Sequence, residues 1–183
     1  RGMGGREVRN TTFNTGGGNI TIDPSTLDYG EIYDHHFVEF EYADGSRCYS
    51  QCRHINGCWN SVSEHVVGTK GQCDVSGHKI FGENAWRFRG KGKNPYQQEH
   101  DDIFDAIRNN VDFNEAEYGA HSTMTSSLGR LATYSGKEVD WNEAINSDIS
   151  LMPKNFAWDA EAPINPDAHG LYPVAIPGKT RVV

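Results

Sequence analysis

Polar and apolar side chains alternate along two neighbouring stretches, Ile32 to Tyr42 and Arg47 to Arg53. Alternation with a period of two predicts β-strands, because successive side chains of a strand point to opposite faces of its sheet. Asp44 and Gly45 lie between the stretches and are typical of the two positive-φ positions of a tight turn. The pattern therefore predicts a β-hairpin with a two-residue turn.

The turn length fixes the register of the predicted hairpin. The pairs that it predicts are Tyr42 with Arg47, Phe40 with Tyr49, Val38 with Gln51, and His36 with Arg53. One face would carry Val38, Phe40, Tyr42, Tyr49, His36 and Arg53, and the other His35, Phe37, Glu39 and Glu41 opposite Cys48, Ser50, Cys52 and His54. Neither face is purely apolar, so at least one is expected to border a cleft or a partner, with an ordinary solvated face as the alternative.

Shorter strand-like segments and then helical segments follow the hairpin. Residues 61–67, 72–75, 79–81 and 85–88 are separated by glycine-containing turns and predict an antiparallel meander. Helices are predicted after Asn94-Pro95, from 114–117 to Tyr134 with Gly136 as the stop, and after Asp140. The proline-rich tail after Asn146 is expected to be irregular.

The order of these segments, strands first and helices afterwards, predicts an α+β fold. We expect one antiparallel sheet of roughly five to eight strands with two substantial helices packed on one face. Residues 10–30 are rich in Asn, Thr and Gly and predict a loop insertion, and residues 147–183 an irregular wrapping tail. Gly16 to Gly18 lack the surroundings of a phosphate-binding loop.

Length and charge narrow the class of protein. The 183 residues carry 17 basic and 25 acidic side chains, a net charge of −8, and predict a single domain over 1–183. An acidic chain argues against a nucleic-acid partner, and no apolar run is long enough to predict a membrane span. Residues 1–6 do not resemble a native start, so we expect them to lie inside a longer protein.

The four cysteines are Cys48, Cys52, Cys58 and Cys73, and they contain no CxxC pair. They predict free thiols and not a disulfide framework. On a strand, Cys48 and Cys52 would share one face about 13 Å apart, which is too far for a bond within the chain.

Several segments together resemble the C-terminal half of the Gfo/Idh/MocA oxidoreductases, in particular a bacterial branch of that family. They are GMGGREVR at 2–9, YGEIYDHHFVEFEYADG at 29–45, CRHINGCWNSVSEHVVGTKG at 52–71, GENAWRFRGKGKNPYQQEHDDIFDAIR at 82–108, EYGAHSTMTSSLGRLATYSGKEVDWNEAINS at 117–147 and PVAIPGKT at 173–180. Their order and spacing carry the resemblance over nearly the whole chain.

The resemblance implies a two-domain NAD(P)-dependent dehydrogenase that acts on a sugar, a polyol or a derivative. Its Rossmann half, which would bind NAD or NADP, and its catalytic lysine in a Glu-Lys-Pro motif would precede Arg1. The chain itself is then the substrate-binding and oligomerisation domain, with no catalytic, coenzyme or metal residue of its own and with a homo-oligomer contact through the sheet face. Alone it would be inactive, and the compartment stays open between cytoplasm and periplasm.

Candidate substrate-binding residues cluster between the hairpin and the meander. Arg53, His54, Asn60 and His65 offer hydrogen bonds to sugar hydroxyls, and Trp59 offers an aromatic wall. The resemblance also implies that the strand entering the Gly-Thr-Lys-Gly turn lies near the reaction site. The structural alternative is that Trp59 belongs to the core and that Arg53 pairs with Asp34 or Glu39.

Three rival sites and one rival function remain open. His35, Cys52 and His54 would lie close enough in the predicted register to hold zinc. A second rival is a nucleophilic pair of Cys58 or Cys73 with a histidine, which no local signature supports. The third is a cation site at the acidic residues 99–102, which suit a helix start better. The rival function is a non-catalytic binding or assembly module of the same fold.

Overall fold

The computed structural model describes residues 1–6, 12–14, 19–21, 30–55, 57–169 and 171–183. The chain divides into two compact units within the span that was predicted as a single domain. Unit 1 comprises Arg1–Gly57 and Ala116–Val183, and unit 2 comprises Cys58–Glu115.

The described residues form nine strands and three helices. They are β1 Gly2–Gly5, β2 Thr12–Asn14, β3 Asn19–Thr21, β4 His35–Glu41, β5 Arg47–Arg53, β6 His65–Gly68, β7 Gly71–Asp74, β8 Lys79–Gly82, β9 Trp86–Arg87, α1 Pro95–Asn109, α2 Ala116–Ser135 and α3 Trp141–Ile145. Every strand pair is antiparallel, in three sheets ordered β1-β4-β5, β2-β3 and β6-β7-β8-β9. The α+β class is confirmed, but the prediction of one sheet of five to eight strands is wrong.

The register of the β4–β5 hairpin differs from the predicted one by one residue. His35 lies opposite Arg53, His36 opposite Cys52, and Glu39 opposite Tyr49. The reason is the turn: the Tyr42 N–H donates to the Ser46 carbonyl, so the loop contains three residues, and only Gly45 within it has a positive φ, of 81°. A three-residue loop that ends in a left-handed glycine is the next common hairpin connection after the two-residue turn.

The corrected register sorts the side chains into two chemically distinct faces. His36, Val38 and Phe40 share the face that α2 covers, together with the small residues Cys48, Ser50 and Cys52 of β5. The opposite face carries a charged and aromatic set, formed by His35, Phe37, Glu39, Glu41, Arg47, Tyr49, Gln51 and Arg53. The predicted pairing of His36 with Arg53 is therefore wrong, because a shift of one residue exchanges the faces.

Glycines bring α2 close to the sheet. A Cβ atom at Gly129 of α2 would lie 3.2 Å from the Phe40 ring and 3.4 Å from Val38 Cγ2. A Cβ atom at Gly2 of β1 would lie 3.0 Å from Thr133 Cγ2 of α2. Since both approaches are tighter than ordinary van der Waals contact, the missing side chains set the distance between helix and sheet.

The core of unit 1 forms where α2 ends and the C-terminal tail returns. Tyr33, Tyr134 and Val182 are buried against one another, and the Tyr33 hydroxyl donates to the Ala175 carbonyl at 2.8 Å. Gly136 has a φ of 65° and ends α2 as predicted. The tail contains no helix or strand among its described residues, in agreement with the prediction from its prolines.

Side-chain caps begin the helices α1 and α3 where the sequence predicts them. The Asn94 side chain accepts the Tyr96 N–H at 3.0 Å, and the Asp140 carboxylate accepts the Asn142 N–H at 2.7 Å. Each bond satisfies one backbone donor of the first turn, which is why these residue types mark helix starts. None of the three described helices combines the length and the apolar character that crossing a membrane requires.

Unit 2 exposes apolar side chains on its sheet and on α1. Val66, Cys73, Ile80 and Trp86 lie in one row across the four strands, and three of them are exposed to 40% or more. The predicted apolar stripe of α1 exists but is also exposed. Within unit 2, α1 does not pack on the described sheet, so the prediction of both large helices on one sheet face holds for α2 alone.

Residues 10–30, predicted as a loop insertion, include the two short strands β2 and β3. Thr12 pairs with Thr21, and Asn14 with Asn19. The Gly16 to Gly18 segment lies outside the described residues.

An ion-pair network on the outer face of β4 predicts acid-dependent stability. Glu39 bonds Arg1 at 3.0 Å and Arg47 at 2.7 Å, and the bond from Arg1 holds the pKa of Glu39 below its usual value. A carboxylate with a lowered folded pKa stabilises the native state above its unfolded pKa, and this contribution disappears as the pH falls through the folded pKa. We expect Glu39→Gln to unfold at lower urea than wild type at pH 7, with the difference vanishing in acid.

Equilibrium urea unfolding from pH 7 downward measures this effect. Glu41→Gln is the matched control, since Glu41 lies on the same face and is bonded to Arg47 at 3.1 Å. The control should show a smaller pH-dependent difference. Parallel stability curves for wild type and Glu39→Gln would contradict the prediction.

Candidate functional site at the open end of the hairpin

Three consecutive polar residues open strand β4 and define the candidate site. Asp34 precedes the strand, and His35 and His36 are its first two residues. Successive strand residues point to opposite faces, so His36 faces α2 and His35 faces outward. The site thus combines a part that is anchored in unit 1 with a part that a ligand can reach.

The outward part is a carboxylate–imidazole pair. The Asp34 side chain is fully buried, and its Oδ1 lies 2.9 Å from Nδ1 of His35, whose side chain is 43% exposed. Because Nδ1 is engaged, the ring orientation is fixed and Nε2 is the nitrogen that can bond a ligand hydroxyl. A Cβ atom at Gly5 would lie 3.2 Å from Nε2, so the glycine keeps the ring edge open.

The inward part anchors β4 on helix α2. Nδ1 of His36 lies 2.9 Å from Oγ1 of Thr133, which is completely buried. The Tyr134 hydroxyl accepts the Tyr33 N–H at 3.2 Å, and the two tyrosine rings lie 4.6 Å apart. Burial raises the pKa of Tyr33, and the neighbouring Tyr134 adds to this effect. The Tyr33 phenol therefore acts as a neutral hydrogen-bonding group at physiological pH.

A cation closes one side of the anchored part. The Arg130 guanidinium lies 4.8 Å from the centre of the Tyr134 ring and donates to Glu31 at 3.1 Å. A guanidinium over an aromatic face that is also bonded to a carboxylate fixes both groups in place. Arg130 thus links α2 to the chain immediately before β4.

Two of the five predicted substrate-binding residues lie in this site. Arg53 ends β5 directly opposite His35, and the His54 N–H donates to the Asp34 carbonyl at 2.8 Å. Glu39, one of the two partners suggested for Arg53, is bonded instead to Arg1 and Arg47. The hairpin therefore brings Arg53 and His54 to the same end of the sheet as the Asp34–His35 pair.

The other three predicted residues, Trp59, Asn60 and His65, belong to unit 2. Trp59 is 78% exposed, so the alternative that it belongs to a core does not hold for the described residues. Asn60 is exposed between β5 and β6, and His65 begins β6 opposite Asp74. Their role as substrate contacts stays a prediction.

The rival zinc grouping is contradicted by the register. Cys52 lies opposite His36 on the face toward α2, whereas His35 lies on the other face. No cluster of three potential metal ligands occurs among the described residues. Of the two cysteines considered as nucleophiles, Cys58 is exposed and Cys73 lies within the unit 2 sheet. At the acidic start of α1, the Asp101 and Asp102 carboxylates accept hydrogen bonds from glutamines one turn earlier in the helix.

Sequence reasoning missed the inner half of the site. From the sequence, Asp34 was considered only as a possible partner of Arg53. Thr133 and Tyr134 were predicted to lie in a helix, with no role in a site. The one local signal was the run Asp34-His35-His36 at the start of an otherwise alternating strand, where a buried carboxylate needs a partner. The contacts from α2 span about a hundred residues and carry no short-range signature.

Chemically, the arrangement can bind a polyhydroxylated ligand. It places an oriented imidazole and a guanidinium at the open end of the hairpin, where the His54 backbone N–H bonds to the Asp34 carbonyl. Comparison with known protein families, curated proteins and solved structures finds no match to this chain.

Proposed function

We propose that this chain is the substrate-binding and oligomerisation domain of an NAD(P)-dependent oxidoreductase that acts on a sugar, a polyol or a derivative. The single observation that carries the proposal is the Asp34–His35 pair beside Arg53 at the open end of the hairpin. The sequence resemblance to the C-terminal half of the Gfo/Idh/MocA oxidoreductases supplies the reaction class.

The chemistry of the site suits sugar hydroxyls. A hydroxyl group both donates and accepts hydrogen bonds, and Nε2 of His35 can accept from a hydroxyl while Asp34 holds the Nδ1 side of the ring. Arg53 adds planar donors that can span two neighbouring hydroxyls. A buried carboxylate that orients an exposed imidazole lowers the entropic cost of binding, since the ring is already in place.

All described strand pairs are antiparallel, so the described residues contain no βαβ unit of the kind with which a Rossmann domain binds a dinucleotide. The proposal therefore assigns the coenzyme and the catalytic groups to a separate Rossmann domain. The role proposed for this chain is to bind and orient the substrate.

The oligomerisation part of the proposal draws support from the unit 2 sheet. Its exposed row of Val66, Ile80 and Trp86 is the kind of surface that a protein interface buries. The same row also supports the rival function, a non-catalytic binding or assembly module of the same fold. Binding of a carbohydrate at the hairpin end distinguishes the proposal from an assembly module, because an assembly module needs none.

We expect sugars or polyols to perturb the backbone amide signals of His35, Arg53 and His54 in heteronuclear NMR spectra of the full 183-residue chain. A panel of hexoses, pentoses and hexitols is the probe, added without coenzyme. His35→Ala should weaken binding of the best ligand about tenfold, as expected for loss of one oriented hydrogen bond.

His100→Ala is the matched control for that variant. His100 is an exposed histidine of α1 whose Nδ1 bonds its own helix backbone and lies near Glu99. The control should bind like wild type. Equal loss of affinity in both variants, or no signal change at the hairpin end with any member of the panel, would count against the proposal.

A further inference from the structure

We propose that the outer edge of β5 pairs antiparallel with β5 of a second copy of this chain, about a twofold axis at Ser50. β5 is the edge strand of the three-stranded sheet, and all seven of its residues are exposed. No strand among the described residues pairs with its outer edge. This contact lies in unit 1 and does not depend on the proposed function.

The hydrogen bonds between β4 and β5 determine which residues of β5 direct their backbone groups outward. The Tyr42 N–H donates to Ser46 O, and the His54 N–H donates to Asp34 O, so the even-numbered residues of β5 bond to β4. In an antiparallel strand, alternate residues direct their N–H and C=O groups to opposite sides. Arg47, Tyr49, Gln51 and Arg53 therefore direct theirs outward, away from β4.

The sequence of β5 is close to a palindrome. It reads RCYSQCR, with Arg and Cys repeated symmetrically about Ser50. A twofold axis pairs each residue with its mirror position in the other copy, because such an interface is isologous. With the axis at Ser50, all seven residues are paired. Tyr49 of each copy then lies opposite Gln51 of the other, and Cys48 of each copy opposite Cys52 of the other.

The alternation of backbone hydrogen bonds and the near-palindromic sequence both place the cysteines of the two copies opposite each other. In this register the odd-numbered residues form the hydrogen-bonded pairs, with about eight bonds across the interface. Cys48 and Cys52 of the other copy then form a non-hydrogen-bonded pair, whose Cα atoms lie about 4.5 Å apart. That separation is within disulfide range, whereas within one chain the two cysteines are too far apart.

The charges of the strand are compatible with self-pairing. The register sets Arg47 opposite Arg53, but Arg47 is already bonded to Glu39 at 2.7 Å and to Glu41 at 3.1 Å. These carboxylates offset the repulsion between the two guanidinium groups. An exposed edge strand of seven residues is otherwise an open template for pairing, and β5 contains no proline or lysine to block it.

Two single-cysteine chains test the register. In a Cys58→Ser, Cys73→Ser background, one chain carries C48S and the other carries C52S, and each is treated with diamide in native buffer. Diamide accepts the two hydrogens that two thiols lose when a disulfide forms, and it becomes a hydrazine. The proposal expects no cross-link in either chain alone, because each remaining cysteine faces a serine, and a cross-linked dimer when the two chains are mixed.

The result that overturns the register is a cross-link in C48S or C52S alone, which indicates a parallel or shifted contact. A mixture that stays uncross-linked while sedimentation shows only monomers overturns the dimer itself. Cross-linking that persists unchanged in 6 M urea would also count against it, since it would reflect random collision.

A backbone variant tests the edge without using the cysteines. Gln51→Pro removes an outward N–H and leaves the bonds to β4 intact, so it should raise the dimer dissociation constant about tenfold or more. Gln51→Val keeps the N–H and is the matched control, expected to sediment like wild type. Equal dimerisation of the proline variant and the control would overturn the proposal, provided both retain the wild-type circular dichroism spectrum. A dimer that instead depends on Trp86 would indicate the unit 2 sheet face.

Discussion

Gly129→Leu is expected to lower the free energy of unfolding of unit 1 by about 3 kcal/mol, because overpacking at a closed helix–sheet contact costs this much. A Cβ atom alone would already lie 3.2 Å from the Phe40 ring and 3.4 Å from Val38. The three further carbons of leucine have no space unless α2 moves off the sheet. Hydrogen exchange of the β4 amides, read by mass spectrometry, measures the loss of protection.

Gly119→Leu is the matched control on the same helix. A Cβ atom at Gly119 would meet nothing within 4 Å, so leucine there should raise helix stability by about 0.5 kcal/mol through its better helix propensity. Equal protection of β4 in both variants would show that α2 does not need its glycine contact. The pair thus separates the effect of packing from that of helix propensity.

The Gly129 contact also determines the candidate site. Thr133 and Tyr134 lie one turn further along α2, and they hold His36 and Tyr33 at the start of β4. A helix displaced by leucine would release both anchors. We therefore expect Gly129→Leu to disorder the Asp34–His35 pair as well, without any change to a residue of the site.

Local patterns in the sequence predicted the elements well. Asn94, Asp140 and Gly136 mark helix ends because each satisfies or redirects backbone groups within one turn. The alternation from Ile32 likewise gave β4 and β5 at nearly their observed bounds. These signals are short-range, so one sequence contains them completely.

Such short-range signals could not predict the register of the β4–β5 hairpin or the inner half of the candidate site. Asp44 and Gly45 suit both a two-residue and a three-residue loop, and one residue of difference exchanges the faces of β5. Relative to the predicted register, the observed register places Cys52 on the face toward α2 and Arg53 beside His35. The Tyr33–Tyr134 contact joins residues 101 positions apart, and only the folded chain reveals it.

Tyr134→Ala is expected to cost about 3 to 5 kcal/mol of unit 1 stability, the range for truncating a buried aromatic side chain. The ring contacts Tyr33 at 4.6 Å, lies 6.1 Å from the His36 ring and carries the Arg130 guanidinium at 4.8 Å. Its removal leaves a cavity at the centre of the core cluster and uncovers the Tyr33 N–H.

Tyr134→Phe separates the hydroxyl from the ring. It keeps the aromatic contacts and removes only the acceptor of the Tyr33 N–H, so we expect a loss of about 1 kcal/mol. Urea unfolding of wild type and both variants gives the two differences. If phenylalanine cost as much as alanine, the hydrogen bond and not the packing would hold β4 to α2, and the ring contacts with Tyr33 and Arg130 would contribute little.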